Sequence, residues 1–487
     1  MNLEHAFQTL CATWPEMAAF AGALEAPQPL TSLAPGRAQE RIGSIRAMAD
    51  EATGLDATLL RRAADCFTHL YESGRWKKNP DVLSELGAMF LREALVAAEQ
   101  PLSKELLDAW FTSMPRALPP GREGRDSPDP RAIELAREAC QGLREQVDAL
   151  ADVVSVHALQ AALLALAEHQ AWLDSLEPGV PPGPLGPEAL KQLLHARAIE
   201  ASPDEIADEA DAEISSLRSA LAKLPEPAPQ DFPPDVLRDA LRTELELTEG
   251  VWKLAELPAS GARFEVLAVP PGLDSSIPHA AVFTARPLRP DEPALVVVSA
   301  ESMLLRDPGR RLLLAVHEGG PGHALQAARA NAANRPWRAV DLCPIPGLGA
   351  GLFAGELMEG WAHFAESRYG ELFPGDPLIS RAVKREALWR VVRARADVGY
   401  ARGELDANAA ARLLVEQAGL SERDALAEVD DFRLNPTYGL SYFWGKRELR
   451  SLRANSKLPE PKLYAKLLDL GLCPLALSRD ALSVYVR

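Results

Sequence analysis

Cysteine is scarce: Cys11, Cys66, Cys140, Cys343 and Cys473 are the full set among 487 residues, and no two stand in a C-x-x-C pattern. An odd, widely spaced set reads as free thiols in a reducing compartment rather than as a disulfide framework. Positive charge is short as well. Lys and Arg total 52 against 69 Asp and Glu, a net charge of −17, which disfavours nucleic acid and anionic membrane as partners. Long apolar runs are missing, none approaching the length of a membrane span, and Met1-Asn-Leu-Glu-His lacks a basic region before an apolar stretch. These absences predict a cytoplasmic protein with neither a nucleic-acid nor a membrane partner. No internal repeat is evident, and the oligomeric state leaves no mark in the sequence.

What is present is a chain that is 47% apolar, enough for a large core in one big or two medium domains. Residues 1–176 are rich in Ala, Leu, Glu and Arg at helical spacing and predict a helical array. Within it, His157 and His169 read as helix histidines rather than as a second metal site. Residues 177–187, Glu177-Pro-Gly-Val-Pro-Pro-Gly-Pro-Leu-Gly-Pro187, form a Pro/Gly-rich connector. The region 188–487 is helical again, with a β insert at about 263–300. Its short β-rich pieces, 264–269, 280–285 and 294–299, predict an antiparallel ribbon whose edge could take a substrate backbone or be purely structural. The expected fold class is mainly α, a large helical array with a small antiparallel β-ribbon beside an active-site helix of zincin type.

The chemistry concentrates in His317-Glu318-Gly319-Gly320-Pro321-Gly322-His323. Asp307-Pro308 signals a helix start, and 312–316 is an apolar run that delivers His317 and Glu318 from a dry base. In the zincin pattern H-E-x-x-H, residues four apart share one helical face, so both imidazoles reach one metal. Here the two His are six apart, which on a regular helix turns them roughly 240° away from each other. Gly-Gly-Pro-Gly is a poor helical tetrad, however, and Pro321 would clash with the His317 carbonyl. A bulge or break that loops out two residues would return His323 to the second histidine position. On these residues alone, a metal pair and a plain Gly-rich helix stop both account for the stretch. A phosphate loop fits poorly, because it lacks the P-loop lysine and Glu318 would repel the anion.

The following helical segment favours the metal. Glu359, His363 and Glu366 recur at spacings of four and three and share one face of an otherwise apolar stretch, where two buried carboxylates need a counter-charge. Glu359 is the expected third ligand, with His363 and Glu366 orienting the imidazoles.

These motifs, His317-Glu-Gly-Gly-Pro-Gly-His-Ala-Leu-Gln326 and Glu359-Gly-Trp-Ala-His-Phe-Ala-Glu366, resemble the signatures H-E-x-x-P-G-H-H-L-Q and E-G-W-A-x-Y-A-E of the bacterial family known as domain of unknown function 885. Pro436-Thr-Tyr-Gly-Leu-Ser-Tyr-Phe-Trp-Gly445 and Asp397-Val-Gly399 are similar to two further family segments, so the likeness runs in order from about Leu185 to the C-terminus. The resemblance implies a mostly helical zinc metallopeptidase, distantly similar to the carboxypeptidase Taq and thimet oligopeptidase groups. It also suggests Asp397 beside the site. This chain departs from the pattern at Ala324, Ala401 and Phe443, where the family has His, His and Lys.

The expected activity is therefore hydrolysis of a peptide or peptide-like amide, with Zn²⁺ on His317, His323 and Glu359 activating water and Glu318 as general base. Tyr442 is the expected oxyanion donor, with Tyr438, Lys446 and Arg447 as substrate-binding candidates. Two alternatives stay open: hydrolysis of a non-peptide amide or biosynthetic small molecule by the same residues, and a non-catalytic binding protein derived from a metallopeptidase, to which the three departures point.

Overall fold

Helix starts are written into the sequence as an oxygen-bearing side chain followed by proline. Asp129, Ser202, Asp307 and Asp376 each accept hydrogen bonds from backbone N–H groups of the first turn, and each is followed by Pro at the first helical position. The computed structural model is 67% helical. It describes residues 3–23, 28–84, 86–87, 89–90, 104–228, 230, 232–269, 277, 279–300, 302–345 and 353–486.

The chain divides into two compact units, one formed by Met1–Pro182 with Val269–Pro278 and Leu342–Leu348, the other by the remainder. The first is helical, its core built on Phe90, Trp110, Phe111, Leu143 and Val147, with Phe90 edge-on to Phe111 at 5.6 Å between centroids. A buried Arg41–Glu16 ion pair lies in this unit, with the Arg41 guanidinium over the Trp14 ring.

The second unit carries the motifs. Its helices include α1 (Pro234–Leu254), α2 (Pro308–Glu318), α3 (His323–Ala332), α4 (Gly355–Glu371), α5 (Pro377–Ala401) and α6 (Leu440–Asn455). Helices α4 and α6 cross at their glycines. A Cβ built on Gly445 would lie 2.0 Å from the Glu356 carbonyl oxygen, and one on Gly360 would lie 2.5 Å from the Gly445 Cα. Only residues without side chains permit this approach, which brings the Glu359 face of α4 up to the Tyr442 turn of α6.

Strands β1 (Phe264–Ala268), β2 (Ala280–Phe283) and β3 (Ala294–Val298) form one sheet in the order β1-β3-β2. The ribbon expected to be antiparallel is mixed: β1 runs parallel to β3, and β2 antiparallel to it. The reason lies in Ala294-Leu-Val-Val-Val298, an unbroken apolar run with all five residues buried, which is satisfied only at the centre with a neighbour on each side. Strands β1 and β2, neither of them buried throughout, pair with it rather than with each other, leaving β2 at an edge.

Among the described residues, no helix is long and apolar enough to cross a membrane. Among the described residues no disulfide joins the five cysteines, which are all buried except the half-buried Cys343.

Candidate metal centre

Helix α2 stops at Glu318, and α3 begins at His323. The break is tight: a Cβ on Gly322 would lie 1.9 Å from the His317 carbonyl oxygen, so the return of the chain over its own last turn requires glycine there. From α4, the Trp361 indole N–H donates to the Pro321 carbonyl at 3.0 Å and pins the turn in place. The two imidazoles that a continuous helix would separate therefore face one another edge to plane, with centroids 4.8 Å apart.

Donor atoms of His317, His323 and Glu359 lie within 4.8 Å of one another. Each imidazole is oriented from behind. His317 Nδ1–H donates to Glu366 Oε1 at 2.6 Å, and His323 Nδ1–H donates to Gln326 Oε1 at 2.8 Å. The Gln326 amide in turn donates to the Leu357 carbonyl. Both Nε2 atoms are thereby turned inward, each 3.5 Å from the same oxygen, Glu359 Oε2. The other carboxylate oxygen, Oε1, accepts from the Tyr438 hydroxyl at 2.8 Å. Glu359 Oε2 is buried, and among the described residues it has no hydrogen-bond partner. An orphaned carboxylate oxygen between two inward-facing imidazole nitrogens is costly as it stands and suits a divalent cation. Two His and one carboxylate are also a donor set typical of zinc, one that leaves a coordination position open.

The electrostatics agree. Burial alone would lower the His317 imidazole, but Glu359 and Glu366 outweigh it and push it up to about 10. His323 is raised as well, with Glu359 overcoming burial. Burial would raise Glu359, yet the two imidazoles hold it well below the usual carboxylate range. The carboxylates create a field that draws positive charge to this point, and a metal competes for it with protons.

Behind the ligands runs a second row. Glu366 Oε2 accepts from His363 Nδ1–H at 2.9 Å, and Lys446 Nζ donates to His363 Nε2 at 3.1 Å. Burial first, then Lys446, holds His363 down to about 3, and burial lowers Lys446 to about 7. Asp397 is buried and accepts from the Thr437 N–H at 2.9 Å, fixing the backbone just before Tyr438. Among the described residues it makes no hydrogen bond to His317, His323 or Glu359. Burial pushes its carboxyl up to about 7.

A cavity of about 400 Å³ opens over the ligands, and Glu318, Tyr438, Tyr442 and the edge strand β2 line it. The Tyr442 ring lies nearly parallel to His317 at 6.2 Å, with the Arg390 guanidinium over it at 4.8 Å. Burial, and the nearby Glu359, raise the hydroxyls of both tyrosines above the ordinary phenol range, so they stay protonated.

Thus His317, Glu318, His323, Glu359, Tyr438 and Tyr442 meet at one cleft, with His363 and Glu366 directly behind. Two of the substrate-binding candidates do not join them. Lys446 is buried against His363, one turn beyond Tyr442 on the same helical stripe. Arg447, rotated off that stripe, pairs with Glu209 and Glu448 and covers Trp444. Gln326 carried no assignment in the sequence reading, although His323-x-x-Gln326 is helical spacing for such a bond. Ala324 and Ala401 are buried in packing away from the cavity, and Phe443 packs on the apolar core.

The family of sequences described as bacterial protein of unknown function (DUF885) matches residues 15–477. The chain belongs to that family. No curated protein matches it. Two solved structures of similar fold are a candidate lipoprotein of unknown function from Shewanella oneidensis and one from Colwellia psychrerythraea. The first is 16% identical, covering 99% of this chain and 98% of its own, with a TM-score of 0.69. The second is 15% identical, covering 99% and 97%, with a TM-score of 0.72. At these identities the likeness shows the fold alone.

Proposed function

We propose that this DUF885 protein is a zinc-dependent hydrolase of peptide or peptide-like amide bonds. The observation that carries the reading is Glu359 Oε2, buried without a hydrogen-bond partner among the described residues and 3.5 Å from the Nε2 atoms of both His317 and His323. Those three residues would hold the ion. When bound, zinc supplies Lewis acidity that makes water nucleophilic near neutral pH and polarises a carbonyl.

The chain's own residues supply the rest. Glu318, carried by the last turn of α2 into the cleft, takes the proton of the attacking water and returns it to the leaving amine. Tyr442, kept protonated by burial, donates to the oxygen that gains charge in the transition state. The Tyr438 hydroxyl holds Oε1 of Glu359 and leaves Oε2 turned to the imidazoles. Ala280 to Val282 of the edge strand offer backbone groups that pair with an extended substrate, which favours a peptide over a compact small molecule.

Elemental analysis tests the reading first. One zinc per chain is expected, lost in His317→Ala and retained in Glu318→Gln, and Glu318→Gln is expected to abolish hydrolysis. Absence of stoichiometric zinc from the purified native protein would sink the proposal in favour of a non-catalytic relative. Cysteines without a disulfide among the described residues support a cytoplasmic location, whereas the likeness to two candidate lipoproteins points away from the cytoplasm. Fractionation of native cells separates these.

A further inference from the structure

The cleft continues past the ligands. On α3, Gln326, Ala327 and Ala330 follow His323 at spacings of three, four and seven, so one helical stripe runs from a ligand directly into the cavity wall. Nothing larger than a methyl group projects from Ala327 and Ala330. The facing wall is Ala339, Leu468 and Leu472.

Backbone geometry fixes that wall. Gly471 has φ 70°, and a Cβ there would lie 2.4 Å from the Arg338 carbonyl oxygen, to which the Leu472 N–H donates at 2.6 Å. The close approach seats Leu472 beside the cavity.

The wing carries no charged side chain among the described residues; its polar ones are Gln326 and Thr284, the latter next to Ala285, whose carbonyl accepts from Asn331 Nδ2 at 2.9 Å. The Gln326 Oε1 accepts from His323 and its amide nitrogen donates to Leu357, so neither is left for a ligand. Among the described lining residues, carboxylates occur only as Glu318 and Glu359 at the centre, and no Lys or Arg is present. A charged side chain entering this wing would lose its hydration without gaining a counter-charge, whereas an apolar one would only shed water.

We propose that the Ala327–Ala330–Leu472 wing is a side-chain subsite for an apolar residue flanking the amide that is attacked, with the three alanines setting its depth. This assignment rests on the hydrolase reading. It makes the substrate class a peptide with an uncharged, aliphatic or aromatic residue at the cleavage point.

The test is a binding titration that needs no turnover. Tetrapeptides acetylated at one end and amidated at the other, with both central residues Leu, Gly, Glu or Lys, are titrated calorimetrically into zinc-loaded Glu318→Gln protein. The leucyl peptide is expected to bind at least about tenfold more tightly than the glycyl one, the scale on which apolar pockets discriminate. Glutamyl and lysyl peptides are expected to bind no better than glycyl. In half-buried Ala327→Leu or Ala339→Leu, either of which fills the wing, the leucyl advantage is expected to disappear. Equal affinities across the series, or preference for a charged peptide, would overturn the subsite. Repeating the titration on zinc-free protein keeps the two ideas apart: failure to load zinc counts against the hydrolase reading, whereas loss of leucyl preference with zinc in place counts against the subsite alone.

Discussion

Tyr442 and Glu366 act on the centre from opposite sides, and their variants should behave differently. Tyr442 faces the cleft with a hydroxyl that burial keeps protonated. Replacing it with Phe keeps the ring under Arg390 and deletes only the donor. The expected result is a kcat lowered by about a hundredfold with KM little changed, the size typical of losing one oxyanion donor. An unchanged kcat in steady-state kinetics would remove Tyr442 from that role. Glu366 never faces the cleft. It bridges His317 and His363, so Glu366→Gln should weaken zinc binding about 10–100-fold, as loss of an orienting partner does. Chelator competition reads this without any substrate, and undiminished affinity would show that packing alone orients His317.

At the scale of elements, the centre depends on two close approaches, the Gly-Pro-Gly turn between α2 and α3 and the glycine crossing of α4 with α6. A methyl group at Gly445 would overlap the Glu356 carbonyl, so one helix must shift. Gly445→Ala is expected to cost about 1–3 kcal/mol of stability, the usual toll of overpacking. Because Tyr438 precedes α6 and Tyr442 sits in its first turns, the same variant should also lower activity of the molecules that remain folded. Denaturation midpoints and zinc-saturated kinetics measure the two effects, and a variant of native stability would contradict so tight a crossing. Glu359, Gly360 and Trp361 thus divide three tasks among consecutive residues: the proposed ligand, the helix contact and the pin on the Pro321 carbonyl.

For the molecule as a whole, acid stability should be governed in part by a residue of the N-terminal unit. His169, fully buried in the N-terminal unit beside Trp172, has no hydrogen-bond partner at either ring nitrogen among the described residues. Burial first, then Arg122 and Arg125, lower it from 6.5 to about 3. Above pH 6.5 the ring is neutral folded and unfolded, so it contributes no pH dependence. Between pH 6.5 and about 3 only the unfolded chain takes up the proton, and stability falls by about 1.4 kcal/mol per pH unit from this group. Thermal melts at pH 7 and pH 4.5 should show the loss, and His169→Phe should lessen it. An equal loss in wild type and variant would exclude His169 as its source.

Local chemistry made much of this legible from the chain alone. Asp307-Pro308 announced its helix, the glycines announced a break before His323, and spacings of four and three put Glu359, His363 and Glu366 on one face, because such signals act within a turn or two of backbone. Other features depended on residues far apart in sequence. Whether Lys446 met the cleft or His363 depended on how deeply α6 packs against α4, and Arg447 found Glu209 from another helix. The mixed order of the sheet followed from which strand had to be covered on both edges. The convergence of His317 and His323 with a carboxylate 36 residues further on was settled by tertiary packing, through a glycine contact between helices and an indole bond to a turn.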